Sequence, residues 1–168
     1  MFDKFGEFNS AADLNNAAMV MKLNGDEEGL VALALENGID REEAEDYMDG
    51  CISELTTELS AAIGKLKAEQ EYLKLGGILI DWTDELRSEC TNNTELCAAV
   101  RSKDKCLAGY IAALAEDGFK NKAIVHKDIV ELAPEVKKFL HGHEFSIGVP
   151  DKATRFNIMR TYYLGGQQ

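Results

Sequence analysis

Apolar residues recur at three- and four-residue steps along most of the chain, and the breaks between them carry helix start and stop residues. Ser10 with Asp13 resembles a capping box opening a helix through Leu23, which Asn24-Gly25 closes. Asp26 can cap a helix running to Glu36, with Gly38 as its stop. Asp40 with Glu43 is another capping pattern, opening a helix through Met48 that Gly50 either ends or bends. Leu55 to Leu75 reads as a longer helix stopped by Gly76-Gly77, and Ile78 to Cys90 and Glu95 to Val100 flank the polar turn "TNNT". Lys103 to Phe119 is a strong helical run, and Ile124 to Leu140 is helical with Pro134 either kinking it or starting a new segment. "HEFSIGV", residues 143–149, alternates enough for a short strand or an extended crossing. Asp151 then caps a last helix through Tyr163, and the tail "GGQQ" should fray. The pattern predicts a mostly α fold, a compact bundle of about seven to eight helices with at most one short strand pair.

Charge divides what the helical pattern leaves uniform. The chain has 168 residues and a net charge of −12. Residues 1–60 hold 15 acids and three bases, whereas residues 61–168 hold 15 of each. This predicts an acidic, helix-turn-helix-like N-terminal part and a mixed-charge helical second part, packed as one unit. Such an asymmetry marks a candidate interaction surface and argues against direct binding to nucleic acid or to anionic membranes. No apolar run approaches the roughly 20 residues of a membrane span, and "MFDKFGEFNS" lacks the layout of a signal peptide, so the expected compartment is the cytoplasm. Cys51, Cys90, Cys97 and Cys106 contain no C-x-x-C and read as small hydrophobes.

The acidity peaks in "GIDREEAEDYMDG", residues 38–50. Taken as a helix over residues 40–55, this stretch places Ala44, Tyr47, Met48, Cys51, Ile52 and Leu55 on one apolar stripe. Glu42, Glu45, Asp46 and Asp49 fall on another face, with no Lys or Arg interleaved. Like charges at that spacing each cost an isolated helix a few tenths of a kcal/mol, and only Glu42 and Glu43 sit where the helix dipole offsets it. Four carboxylates over roughly 10 Å of helix is about one charge per 3.5 Å, close to the spacing along one strand of B-DNA. Any acidic stripe at helical spacing gives that figure, so it permits DNA mimicry and equally suits a solvated face. Asp26, Glu27 and Glu28 at the start of the preceding helix join these four as candidate partner-binding residues.

Other signatures are weaker. Ala34, Gly38, Ile39, Ala44 and Tyr47 sit near the small and apolar positions of a DNA-reading helix-turn-helix, but its outward positions carry acids where a reader would present Arg, Lys, Asn or Gln. An EF-hand loop from Asp40 lacks Gly at its sixth position and Glu at its twelfth. His141 and His143, with His126 or Glu144 nearby, form only one His-x-His, and no metal or cofactor is expected. No catalytic or phosphate-cradling motif pairs a nucleophile with a base, so an enzyme is disfavoured. Phe2, Phe5 and Phe8 form an aromatic row that either anchors a partner or folds over the first helices. Basic clusters at 103–105, 119–122 and 136–138 can pair with the acidic third, within one chain or across a homodimer.

Three stretches, "MFDKFGEFNSAADLN", "LALENGIDREEAEDYMDG" and "RTYYLGG", resemble small acidic proteins of bacterial mobile elements and are similar to anti-CRISPR proteins that inhibit Cas9. The resemblance covers both ends of the chain and fades over about residues 65–145, and it transfers no residue roles. It implies a non-enzymatic inhibitor whose partner is a basic nucleic-acid-handling protein, guide-loaded Cas9, blocked in its engagement of DNA. Steric blocking, dimer bridging and binding at a nuclease domain all suit that role. The alternative is a structural or assembly protein of a mobile element with a solvated acidic face. A third reading is a small enzyme or metal protein built around His141 and His143.

Overall fold

In a computed structural model of the protein, residues 8–165 are described. The fold is mostly α, with one short antiparallel strand pair. Helix α1 (Ala11–Leu23) starts where Ser10 accepts the Asp13 N–H at 3.0 Å, and α2 (Glu27–Glu36) where Asp26 accepts the Gly29 N–H at 2.9 Å. Helix α3 (Arg41–Asp49) opens with the Asp40 N–H donating to Glu43 Oε2 at 3.2 Å. It does not continue to residue 55. Gly50 adopts φ +79°, and the Cys51 and Gly50 N–H groups return to the Asp46 and Tyr47 carbonyls in a Schellman turn. The stripe assigned to Cys51, Ile52 and Leu55 is therefore chain that follows the helix, and only Leu55 is fully buried there.

Helix α4 (Glu58–Leu73) is capped by Thr57, three residues later than the apolar pattern suggests. Helices α5 (Ile78–Cys90), α6 (Thr94–Arg101) and α7 (Leu107–Lys120) follow. The predicted helix over 124–140 divides into β1 (Ala123–Ile124), α8 (Lys127–Glu131) and α9 (Pro134–Leu140). Pro134 has no N–H to donate and starts α9 at its first turn, where none is needed. Strand β2 (Ser146–Ile147) pairs with β1, with Ala123 opposite Ile147, and α10 (Lys152–Leu164) closes the chain behind an Asp151 cap. Phe2, Phe5 and residues 166–168 lie outside the described residues. No described helix is long and apolar enough to cross a membrane.

Two apolar clusters hold these elements. Leu14, Leu30, Leu33, Ile39, Tyr47 and Leu55 unite α1–α3, with Phe8 packed at the edge. Leu66, Trp82, Leu86, Leu107, Tyr110 and Met159 unite α4–α7 with α10. Close backbone contact and buried polar groups join the clusters. Gly38 (φ +73°) and Gly64 meet so tightly that a Cβ on Gly38 would strike the Gly64 backbone and one on Gly64 would strike the Asn37 carbonyl. Arg101, fully buried, donates from Nη2 to Asn37 Oδ1 at 2.9 Å, and Asn37 donates from Nδ2 to the Leu33 carbonyl at 2.9 Å. Asn15 exchanges two hydrogen bonds with the Thr56 backbone, and Lys67 reaches Asp40 at 2.8 Å. Lys65, also fully buried, donates to the Ser102 and Lys105 carbonyls at 2.6 Å, while Glu69 accepts the Leu107 N–H that opens α7.

The cysteines divide in the same way. Cys51 and Cys106 are exposed, against the expectation that each packs as a small hydrophobe; Cys90 and Cys97 are buried. Burial pushes the Cys90 thiol up to about 12 and also raises that of Cys97. Because the thiolate is the reactive species, a thiol reagent at neutral pH should label Cys51 and Cys106 quickly and the other two only on unfolding. Equal labelling rates for all four would show that α5 and α6 do not pack as described.

Candidate functional site: the acidic surface of α2 and α3

The turn joining α2 to α3 sets the position of every predicted site residue. Ala34, Ile39, Ala44 and Tyr47 are buried and Gly38 supplies the left-handed residue between the helices, so the apolar sides of α2 and α3 face one core. Their other sides turn to solvent. Glu42, Asp46 and Asp49 are exposed and Glu45 is half-buried. On α2, Asp26, Glu27 and Glu28 are exposed within or beside the first turn, where carboxylates complement the helix dipole and Asp26 serves also as the cap.

A shallow groove runs between the first turn of α2 and the start of α3, and none of Glu42, Glu45, Asp46 and Asp49 lines it. Glu27, Glu28 and Arg41 line it, over a floor that includes Val31, Ala32 and the half-exposed Leu35. Arg41 also lies 3.5 Å from Glu45, one turn along α3. The carboxylates are thus not free of basic neighbours, as the spacing alone suggested. Arg41 precedes Glu45 by four residues, the step at which helical side chains meet, so the pair was legible in the sequence. A second cation arrives from α1, where no local pattern could reveal it. Lys22 donates to the Tyr47 carbonyl and lies 4.6 Å from the centre of the Tyr47 ring. It therefore sits at the negative end of α3, also the place of Asp46 and Asp49. Those two residues do not line the groove, and no ion pair holds either among the described residues.

The charges on this surface differ in kind. Asp26 and Glu43 have structural work in caps, Glu45 is partly compensated by Arg41, and Asp40 is tied to Lys67 across the junction. Lys67 is held above the ordinary lysine range, first by its hydrogen bond to Asp40. Glu27, Glu28, Glu42, Asp46 and Asp49 remain as exposed carboxylates on well-capped helices. Such a surface offers fixed negative charge and hydrogen-bond acceptors to a basic partner and little covalent chemistry.

The histidines lie elsewhere, between the strand pair and α8–α9. His126 and His143 line one pocket with Glu131 and Glu144, and His141 ends α9 with φ +48°. No group of three or more His, Cys, Asp and Glu residues among the described residues is placed to hold a metal ion. His126 is 3.5 Å from Asp128, and Glu131 is taken by Lys137 at 2.6 Å. Compared with family models, with curated proteins and with solved structures, the chain matches none.

Proposed function

We propose that the chain is a non-enzymatic inhibitor that binds a basic nucleic-acid-handling protein, guide-loaded Cas9, and blocks its engagement of DNA through the acidic surface of α2 and α3. One observation carries the reading. Helix α3 keeps Asp46 and Asp49 at its C-terminal end, where the dipole disfavours carboxylates, and it has no basic residue in its last turn. Lys22 approaches that end from α1, but no ion pair holds either carboxylate among the described residues, and attraction to a basic surface is a reason for them that the helix itself does not supply. The charge balance supports it, because residues 1–60 hold 15 acids and three bases, and Glu27, Glu28, Glu42, Asp46 and Asp49 stay exposed although Lys22 and Arg41 approach α3. The resemblance of the chain's ends to Cas9 inhibitors points the same way and supplies the target. Cas9 holds nucleic acid in positively charged channels and reads its PAM with arginines, groups to which an acidic helical surface is complementary.

The test is DNA cleavage by guide-loaded Cas9 with the chain added before the DNA. Inhibition that saturates at a fixed ratio of chain to Cas9, with loss of DNA binding, is expected. Undiminished DNA binding in the presence of excess chain would overturn the choice of target. A second reading, an assembly protein of a mobile element, is favoured by a different observation, the concentration of exposed apolar side chains in residues 119–149.

A further inference from the structure

Between α7 and α10 the chain leaves the bundle as a small lobe, residues 119–149, and returns. The lobe is pinned at its base, where a Cβ on Gly118 or on Gly148 would strike the other's carbonyl. Helices α8 and α9 bury none of their residues, and neither apolar cluster of the bundle reaches into the lobe. Its half-buried apolar side chains surround a cavity instead of packing together. Val125, Val130, Leu140 and Phe145 line one space of about 530 Å³. Small-molecule sites span roughly 300–1,000 Å³ and combine apolar walls of this kind with a few polar groups.

The walls are tied to one another without an occupant. On the strand side the Val125 N–H donates to the Phe145 carbonyl at 2.8 Å, one step beyond the β1–β2 pair. On the helix side Lys137 of α9 holds Glu131 of α8 at 2.6 Å. Both of those side chains line the cavity, and their charges cancel. His126 is engaged as well, its Nδ1 accepting the Asp128 N–H at 3.3 Å. Lys127, His143 and Glu144 are the charged or ionisable lining groups left over, and no side-chain hydrogen bond or ion pair holds any of them among the described residues. An ammonium and an imidazole N–H thus stand uncommitted beside a single carboxylate, a set that favours an anionic head group.

We propose that this cavity binds a small organic anion with an apolar body, the body against Val125, Val130, Leu140 and Phe145 and the anionic group on Lys127 and His143. An inorganic anion has no apolar surface to bury against those walls, and an uncharged molecule leaves both donors to water. An organic cation finds only Glu144, and finds Lys127 against it. The inference is independent of the α2–α3 reading, because it concerns a different part of the chain and its test contains no Cas9.

The experiment follows the amide chemical shifts of the full chain during titration with octanoate, octanol or octylamine, beside Lys127→Gln and Glu144→Gln. Octanoate should saturate the wild type with shifts centred on residues 124–145, and should bind about 3- to 10-fold more tightly than octanol or octylamine. Acetate, which has the head group without the chain, should bind at least about 50-fold more weakly than octanoate. Lys127→Gln should weaken octanoate about 3-fold or more and Glu144→Gln should strengthen it, while octanol responds to neither. Both positions are exposed, so both variants should fold as the wild type does. Equal affinity for the three octyl compounds would overturn the proposal. So would octanoate that fails to bind at millimolar concentration, shifts centred outside the lobe, or a Lys127→Gln variant that binds octanoate as the wild type does.

Discussion

Arg101→Ala is expected to lower the stability of the fold by about 3–5 kcal/mol. Arg101 is among the largest fully buried side chains, and its guanidinium is the donor that satisfies Asn37 Oδ1. Truncation would leave a large void between the two apolar clusters and strand a buried amide oxygen, and unsatisfied buried acceptors alone cost about 1–3 kcal/mol. The loss should appear as a lower urea midpoint. Because the residue bridges the clusters, the unfolding slope should also flatten as α1–α3 melt ahead of the rest. A midpoint within experimental error of the wild type would show that Arg101 does not join the two clusters.

Gly64→Ala tests the same junction through backbone packing. In the middle of α4 this change should by propensity alone stabilise a helix by about 0.8–1 kcal/mol. Here the new methyl would meet the Asn37 carbonyl and the Gly38 backbone, neither of which can swing aside as a flexible side chain could. Overpacking against main chain should outweigh the helix gain, for a net loss of about 2 kcal/mol. Gly76→Ala is the control, with open space where its Cβ would go, and should change stability by less than about 0.5 kcal/mol. Stabilisation by Gly64→Ala would mean that α2 and α4 do not meet at this point.

What the sequence disclosed of this junction was one half only. The stop at Gly38 and the caps at Ser10, Asp26, Asp40 and Asp151 follow from local chemistry, in which a side-chain oxygen and an N–H lie three residues apart. These local signals located the ends of α1, α2 and α10 to within about a residue or two. Nothing local marks Gly64, because its requirement comes from a backbone 26 positions away. Nor does any local pattern mark Arg101 and Lys65 as buried, because their partners include distant main-chain and amide oxygens. The strand pair was half visible at 143–149. Its other half, Ala123–Ile124, is too short to alternate, and the helical pattern read over 124–140 takes in Ile124.

The candidate site followed a similar division. The exposure of Glu42, Asp46 and Asp49 follows from the period of α3 and the apolar face opposite. The end of α3 at Asp49 was harder to place, because the apolar spacing runs on past Gly50 although the helix does not. Arg41 was within reach of sequence reasoning, at four residues from Glu45, whereas the approach of Lys22 from α1 was not.

The most direct measurement is the affinity of the chain for guide-loaded Cas9 at low and at high salt, wild type against Asp46→Lys/Asp49→Lys. Both positions are exposed and lie near the C-terminal end of α3, where lysine suits the dipole, so the variant should fold at least as stably as the wild type. The account predicts binding at least about 10-fold weaker at low salt, with the gap narrowing as salt screens the wild type. Equal affinity of the two proteins at both salt concentrations would contradict it, and would leave α3's acidic face as solvated surface.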